Sequence, residues 1–425
     1  MAKKKKGKGT RTNAKQGSVT DVPIILRRFL RTYENHCAQA RSSVSPTIKQ
    51  STLRCIENEK IMTKITLAFP EYKAADAPPK SLQPLLMTIR DERYMLGKQL
   101  CVWDVTLNNQ DIADLSIILE KRGRTVYPFT HLELLDCGLD VWSMERLGKA
   151  VNLSSLTSLN LDYNTFGEEG VQGLLHGLAG NNQVVSLSLC YCHLGPGSGS
   201  LLAALVTKSA IRDLYVNGNE LQSEGSADLV REMAEYAENV ALGQRADVAT
   251  VSSNVESKST TRPETSVKKK KKAKGKKSKI AKPPEIGPWL AKLHLADNGI
   301  DDNGKEGITG PLKFAQVLCQ LIKFSGHFIE LDLDDNSIGE LCGKLILETL
   351  KERKEAKLPC LKINVTAQMS EDTFGGIFKN TKKLKSTKRK KAGPSLSLKN
   401  KAQSRTAHPL NRLLVNCRVT EKGTM

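Results

Sequence analysis

One eleven-residue pattern of leucines recurs along this chain and limits the folds open to it more than any other feature. The pattern is Leu-x-x-Leu-x-Leu-x-x-Asn/Cys-x-Leu, in which valine, isoleucine or phenylalanine replaces some leucines. Its five clear copies begin at Leu156, Val184, Ile211, Leu290 and Phe328. Because every copy keeps the same internal register, the chain is built from repeats of one small structural unit.

The inner leucines of each copy have the spacing of a short β-strand. Leu159 and Leu161, at the fourth and sixth positions, point to the same side of a strand, so the residues between them point to the other side. The Asn or Cys at the ninth position is suited to bonding with backbone groups where the chain leaves the strand. One unit cannot cover its own apolar face, and we therefore expect neighbouring units to stack.

Weaker copies extend the array at both ends. A copy beginning at Phe129 is followed by the next three copies at intervals of 27, 28 and 27 residues. We predict a further copy that starts at Leu100, with Trp103 at its fourth position, and another that starts at Leu358, with Leu361 there.

Leucines at helical spacing follow the strands, as at Leu174, Leu175 and Leu178. A strand, a turn and a helix in about 28 residues resemble the ribonuclease-inhibitor type of leucine-rich repeat, over residues 100–240 and 287–367. The resemblance implies an α/β solenoid in the form of a horseshoe, with parallel strands on the concave face and helices outside. It also implies a non-enzymatic protein that binds other proteins, since a solenoid offers a long surface and no preformed catalytic cleft.

The net charge of +20 is concentrated in three segments. Residues 1–20 carry +7, residues 241–285 carry +9 and residues 376–425 carry +13, which leaves −9 for the rest of the chain. Blocks of like charge are poor core formers, so we predict that these segments are disordered. The predicted organisation is a basic tail (1–20), a helical N-terminal cap region (21–98), repeats (99–240), a Lys-rich insert (241–286), further repeats (287–375) and a basic tail (376–425).

The insert separates two copies of the pattern by 79 residues, about 50 more than one repeat needs. Loop closure becomes only slowly less favourable with length, so one solenoid can continue across it. A separate small domain after the insert is the alternative. Before the repeats, residues 22–40 and 47–60 are predicted to be helices, which either cap the first repeat or form a partner-binding module.

The outward strand positions are the candidate binding surface. These are the third, fifth, seventh and eighth positions of each copy, and carboxylates and tyrosines dominate them. Such a surface suits a basic protein partner, although an ordinary solvated face is an equally simple interpretation. The Lys-rich insert could also fold back over this surface, in which case deletion of residues 255–282 would strengthen partner binding. The candidate residues are Glu133, Asp136, Asp162, Tyr163, Tyr191, Asp213, Tyr215, Asp297, Glu330, Asp332 and Asp334.

Two basic clusters lie in the segments predicted to be disordered. We expect them to bind acidic polymers such as tubulin tails or RNA through charge alone, or to act as nuclear-import signals. A plain solubilising linker is the alternative. The clusters are Lys268, Lys269, Lys270, Lys271 and Lys272, and Lys388, Arg389, Lys390 and Lys391.

Other functional classes find little support in the sequence. No apolar run is long enough to cross a bilayer, and the ten scattered cysteines indicate reduced thiols in an intracellular protein. Cys190 and Cys192 lack a second ligand pair at zinc spacing, so we predict no metal and no cofactor. The oligomeric state is left open.

A second resemblance concerns the segment before the insert. The run Leu194-Gly-Pro-Gly-Ser-Gly-Ser-Leu-Leu, followed by a Lys-rich insert and a resumed repeat, is similar to the leucine-rich repeat-containing protein 71 group. This similarity implies a cytoskeletal or ciliary scaffold in the cytoplasm. The alternative is a nuclear or nucleolar adaptor whose lysines serve import and non-specific RNA contact.

Overall fold

The computed structural model describes residues 21–69, 78–123, 125–253 and 284–387. Within these residues nine parallel strands form one sheet, and their spatial order follows the chain. The predicted alternation of parallel strands and helices is therefore confirmed. The strands are β1 Lys64–Leu67, β2 Gln99–Trp103, β3 His131–Leu135, β4 Ser158–Asn160, β5 Ser186–Ser188, β6 Asp213–Tyr215, β7 Lys292–His294, β8 Glu330–Leu333 and β9 Lys362–Val365.

Helices precede the sheet and alternate with its strands. Two of them, α1 Val22–Gln39 and α2 Pro46–Glu57, come before β1. One helix then follows each strand, and from α3 to α10 each helix contacts the helix of the next repeat. These later helices are α3 Gln83–Asp91, α4 Asn109–Leu119, α5 Val141–Asn152, α6 Gly167–Leu178, α7 Ser198–Thr207, α8 Gln222–Ser253, α9 Thr309–Phe324, α10 Gly339–Glu355 and α11 Glu371–Thr387.

The core lies between the sheet and the helices and continues through all the repeats. Its strand side is the predicted row of fourth-position leucines, which face one another across the strands. Burial of each leucine contributes roughly 1.5–3 kcal/mol, and each one packs on the repeats at both sides, so no repeat is stable alone. The row comprises Leu132, Leu159, Leu187, Leu214, Leu293 and Leu331, each of them no more than 1% exposed.

Ninth-position side chains join successive repeats by hydrogen bonds. Asn164 Oδ1 accepts from the backbone N–H groups of Cys137 (2.9 Å) and Leu139 (3.3 Å), and its Nδ2 donates to the Leu134 carbonyl (2.8 Å). Cys137 fills the same position in the preceding repeat and donates its thiol to the Val102 carbonyl. The predicted role of this position is confirmed. Asn219 and Asn336 make the same bonds in later repeats.

The register of two degenerate copies was predicted wrongly. Leu100 pairs with Leu132 and therefore holds the fourth position, which places the start of its copy three residues before the predicted one. Ile363 pairs with Leu331, which places the last copy two residues later than predicted. Apolar residues alternate over a long run at both places, so the leucine pattern alone fits more than one register.

Residues 21–98 are more than the predicted helical cap. They contain α1 and α2, but they also contribute β1 and α3, which form the first strand–helix unit of the sheet. Helix α1 packs on α2 and α3, and α2 packs on β1, so the two helices cover the open end of that unit. Their buried side chains include Leu26, Phe29 and Tyr33, and the Tyr33 hydroxyl accepts a hydrogen bond from the Ser45 N–H.

The repeats on the two sides of the insert belong to one sheet. Strand β6 pairs directly with β7, and both lie in the same compact unit of the chain, which argues against the alternative of a separate small domain. Helix α8 continues to Ser253 and α11 to Thr387, so both extend into segments that were predicted to be disordered. The basic tail 1–20, the rest of the insert (254–283) and residues 388–425 lie outside the described residues.

Candidate functional site

The outward strand positions lie together on the side of the sheet that the helices leave open. We define the concave face as the third, fifth, seventh and eighth positions of each repeat. The short strands β4 to β7 all show one pattern, in which a buried residue stands between two half-buried ones. The eleven candidate residues named above all occupy concave-face positions in the register of the strands.

Several of the candidate carboxylates are neutralised by lysines of the next strand. Lys292 Nζ lies 2.6 Å from Asp213 Oδ2, and Lys362 forms an equivalent ion pair with Glu330. In both pairs the lysine occupies the third position of the repeat that follows the acid. The strand-centred part of the face is therefore less acidic toward a partner than its composition predicts.

A similar cluster lies at the N-terminal end of the face. Glu133 accepts a hydrogen bond from the Trp103 indole N–H (3.2 Å), and Lys64 Nζ is 3.8 Å from the same carboxylate. The Lys64 ammonium also lies 5.3 Å from the centre of the Trp103 ring. The sequence-based prediction missed Trp103 because the wrong register placed it at an inward position. In the correct register its seventh position would have identified it.

Asp162 connects two repeats. Its Oδ1 accepts hydrogen bonds from the Ser188 hydroxyl (2.6 Å) and from the Cys190 backbone N–H (2.8 Å). Burial raises the pKa of this carboxyl, although both bonds oppose the shift. Asp162 thus connects β4 and β5, and its Oδ1 atom is already used for hydrogen bonds within the chain.

His294 is a half-buried titratable group on β7, at the fifth position of its repeat. Its ring lies 4.6 Å from that of Tyr215, and its nitrogens are 3.7 Å from Glu330 and 3.6 Å from Asp332. Burial nevertheless lowers the pKa of His294 below its ordinary value, against the pull of the two carboxylates. The neutral ring is therefore the favoured form near neutral pH. The sequence analysis did not single out His294 or anticipate this cluster.

The eighth position has an unusual backbone in most repeats. Its φ angles lie between 50° and 65°, in the left-handed region, where glycine is free of strain and aspartate is tolerated. A tyrosine in this region stores about 1–3 kcal/mol of strain unless its surroundings hold it there. We call these residues the eighth-position row: Asp104, Asp136, Tyr163, Tyr191, Gly218, Asp297 and Asp335.

Tyr163 and Tyr191 form a stacked pair in the middle of this row. Their ring centroids are 4.9 Å apart and their planes differ by 4°. A Cβ atom on Gly218 would lie 2.0 Å from a Tyr191 ring carbon, so the missing side chain of Gly218 makes room for that ring. Burial is the main cause of the raised pKa of both hydroxyls, to about 12 for Tyr163. Both phenols remain neutral donors at physiological pH.

The carboxylates of the row differ in their partners. Within the row, Asp104 forms an ion pair with Lys80. Outside the row, the seventh-position Asp334 accepts a hydrogen bond from the Thr366 hydroxyl at 3.0 Å. The other carboxylates of the row are exposed and make no ion pair with a described residue: Asp136, Asp297 and Asp335. Asp297 and Asp335 are also close enough to Tyr191 to help raise the pKa of its hydroxyl.

Comparison with known protein families gives one match. A family model described as Leucine Rich repeat matches residues 152–175 and 288–308, which cover β4 with most of α6, and β7 with the loop after it. These two segments of the chain are similar to the leucine-rich repeat family. No curated protein matches the chain, and the finer resemblance to the protein 71 group thus gains no support from the comparisons.

Several further findings concern only the part of the chain that the structure describes. There, no group of three His, Cys, Asp or Glu side chains is placed to hold a metal ion, and no cysteine forms a disulfide. Among the described helices, none combines the length and apolarity that a membrane span requires. The predicted basic clusters, Lys268–Lys272 and Lys388–Lys391, lie outside the described residues.

Proposed function

We propose that this protein is a non-enzymatic scaffold whose concave face binds a basic protein partner. The observation that carries the proposal is the eighth-position row, where two stacked tyrosines stand among exposed carboxylates, most of which make no ion pair with a described residue. The carboxylates at the third and fifth positions are paired or enclosed within the chain. A partner would therefore gain most of its binding energy at the eighth-position row.

The tyrosine pair has the properties of an interaction anchor. Tyrosine supplies a large contact area at little conformational cost, and binding energy at interfaces concentrates in such residues. Tyr191 is already held by Tyr163 and by the space above Gly218, so little side-chain freedom remains to be lost on binding. Asp297 and Asp335 beside it favour a partner of positive charge and would speed its association.

Substitutions in the row test the proposal. Tyr191→Asn is expected to weaken binding to an immobilised library of Lys/Arg-rich 12-residue peptides by about 30-fold, the effect of a hot-spot loss of ~2 kcal/mol. The double variant Asp297→Asn/Asp335→Asn is expected to weaken it about tenfold and to reduce its dependence on salt. Asparagine tolerates the left-handed backbone, so these changes preserve the turn.

The matched control removes the same charge from the helices. Glu235 on α8 and Glu348 on α10 are exposed, and the variant Glu235→Gln/Glu348→Gln should bind the library as the wild type does. An equal loss in this control would mean that overall charge, rather than the concave face, determines binding. In that case the proposal would be wrong.

For the cellular setting we propose a cytoskeletal or ciliary role, with the Lys-rich arms giving electrostatic attachment to acidic polymers such as tubulin tails. The similarity of the segment around Leu194 to the protein 71 group and the lysine clusters of residues 268–272 and 388–391 support this choice. The second candidate is a nuclear or nucleolar adaptor that uses the same lysines for import and RNA contact.

Affinity purification of the full chain from ciliated cells, with and without nuclease, separates the two settings. Retention of tubulin and axonemal proteins after nuclease treatment is expected for the cytoskeletal role, and replacement of Lys268–Lys272 by glutamine should reduce it. Loss of nearly all partners on nuclease treatment would instead favour the nuclear adaptor. A Lys→Gln variant with undiminished tubulin retention would contradict attachment through the insert.

A further inference from the structure

The eighth position of the repeat that precedes the stacked tyrosines is an exposed aspartate, Asp136. The 4.9 Å between the two ring centroids matches the spacing of about 4.8 Å between neighbouring strands, so the stack runs along the sheet from repeat to repeat. Tyr191 covers one face of Tyr163. The opposite face of Tyr163 is directed toward the preceding repeat, whose eighth-position residue is Asp136.

Among the described residues, Asp136 is not the direct ion-pair partner of any cation. Its neighbour Asp104, in contrast, is bound by Lys80 through both its carboxylate and its backbone carbonyl. Partial burial and the nearby charge of Asp104 raise the pKa of Asp136, and the Lys80 ammonium partly opposes this shift. A positive group placed beside Asp136 would favour its charged form and make a new contact.

The position of the Tyr163 ring is determined before any partner arrives. Tyr191 supports the ring from behind, and Tyr191 itself occupies the space that Gly218 leaves free. The strained backbone of both tyrosines is thus balanced by packing within the row. A flat aromatic surface therefore remains available to a ligand, with Asp136 at the eighth position of the preceding repeat.

We propose that Tyr163 and Asp136 bind an arginine side chain of the basic partner, with the guanidinium stacked on the outer face of Tyr163 and paired with the Asp136 carboxylate. This inference rests on the proposed function. The guanidinium is planar, is only weakly hydrated, stacks on aromatic rings and binds carboxylates through two parallel hydrogen bonds. A lysine ammonium is compact and strongly hydrated and matches neither surface as well.

Two peptide libraries that differ only in having arginine or lysine at every basic position provide the test. The full-length wild type is expected to bind the arginine library about tenfold more tightly. Tyr163→Asn and Asp136→Asn are each expected to remove most of that preference while binding to the lysine library is largely kept. Tyr163→Phe retains the ring and should retain the preference.

The controls separate this inference from the proposed function. Circular dichroism and thermal melting should show that Tyr163→Asn folds as the wild type does, since asparagine tolerates a positive φ. Equal binding of both libraries by the wild type, with losses still seen for Tyr191→Asn, would overturn the arginine site and leave the scaffold proposal intact. An unchanged arginine preference in Tyr163→Asn would also overturn it. Absence of binding to either library would contradict both proposals.

Discussion

Replacing Arg353 with methionine is expected to destabilise the C-terminal repeats by about 3–5 kcal/mol. Arg353 lies on α10 and is 2% exposed, yet its guanidinium bonds only to backbone carbonyls in the described contacts. It donates to Ser325 (2.8 Å), Phe328 (2.7 Å) and Pro359 (2.8 Å), and also to Ile322. Methionine fills the same space but leaves these carbonyls buried without a donor, and each such group costs about 1–3 kcal/mol.

The Arg353 side chain stays charged although it is buried. Burial lowers the pKa of Arg353 to about 10, which still leaves the side chain charged at neutral pH. Four hydrogen bonds take the place of a carboxylate here. They join the end of α9 and the loop between α9 and β8 to the loop between α10 and β9, so a single side chain positions two successive repeats.

Urea unfolding and amide hydrogen exchange measure the effect. Because repeat proteins unfold partly repeat by repeat, we expect lost protection in β8 and β9 while β3 to β6 stay protected. Lys354→Met is the matched control, since Lys354 is the exposed neighbour on the same helix and its loss should change stability by no more than about 0.5 kcal/mol. If Arg353→Met lowers the free energy of unfolding by less than about 1 kcal/mol, water satisfies the freed carbonyls in place of the guanidinium.

Gly177→Ala is expected to cost about 2–4 kcal/mol, even though alanine normally favours helices. A Cβ atom at Gly177 would lie 2.2 Å from the Gly148 carbonyl carbon and 2.5 Å from the Lys149 nitrogen. These are backbone atoms of α5, which cannot rotate aside as a side chain can. The helices α5 and α6 would have to separate, and the core beneath them would lose contacts.

Gly243→Ala is the control for this substitution. Gly243 also lies within a helix, α8, but among the described residues no atom outside its own chain neighbours and helix backbone lies within 4 Å of the position that a Cβ would take. That change should therefore stabilise the chain by roughly 0.5–1 kcal/mol through helix propensity. Unfolding monitored by circular dichroism should show opposite signs for the two variants. If both changes stabilise the protein, the close contact between α5 and α6 is not maintained in solution.

The binding surface could be located from the sequence, but its charge balance could not. The repeat register predicts that Asp213, Glu330 and Glu133 face outward, and the strand register places them on the concave face. Their lysine partners come from other repeats, and Lys292 is separated from Asp213 by the whole insert. Which carboxylates remain available to a partner depends on these long-range pairs.

The tyrosine pair shows the same division. Alignment of the copies places Tyr163 and Tyr191 at the same position of neighbouring repeats. The positive φ at that position and the role of Gly218 follow from the path of the chain after the strand, which no leucine spacing encodes. The proposed arginine site depends on both features.

The sequence by itself determined the repeating unit, the inward leucines such as Leu159 and the bonding role of the ninth position, because these depend on periodicity within one repeat. Only the tertiary structure decided that β1 joins the sheet, that β6 pairs with β7 across the insert and that Arg353 links two loops. The physical reason is the distance along the chain over which each interaction acts. Alternation and turn chemistry act over a few residues, whereas pairing and close packing require neighbours that are distant in the chain.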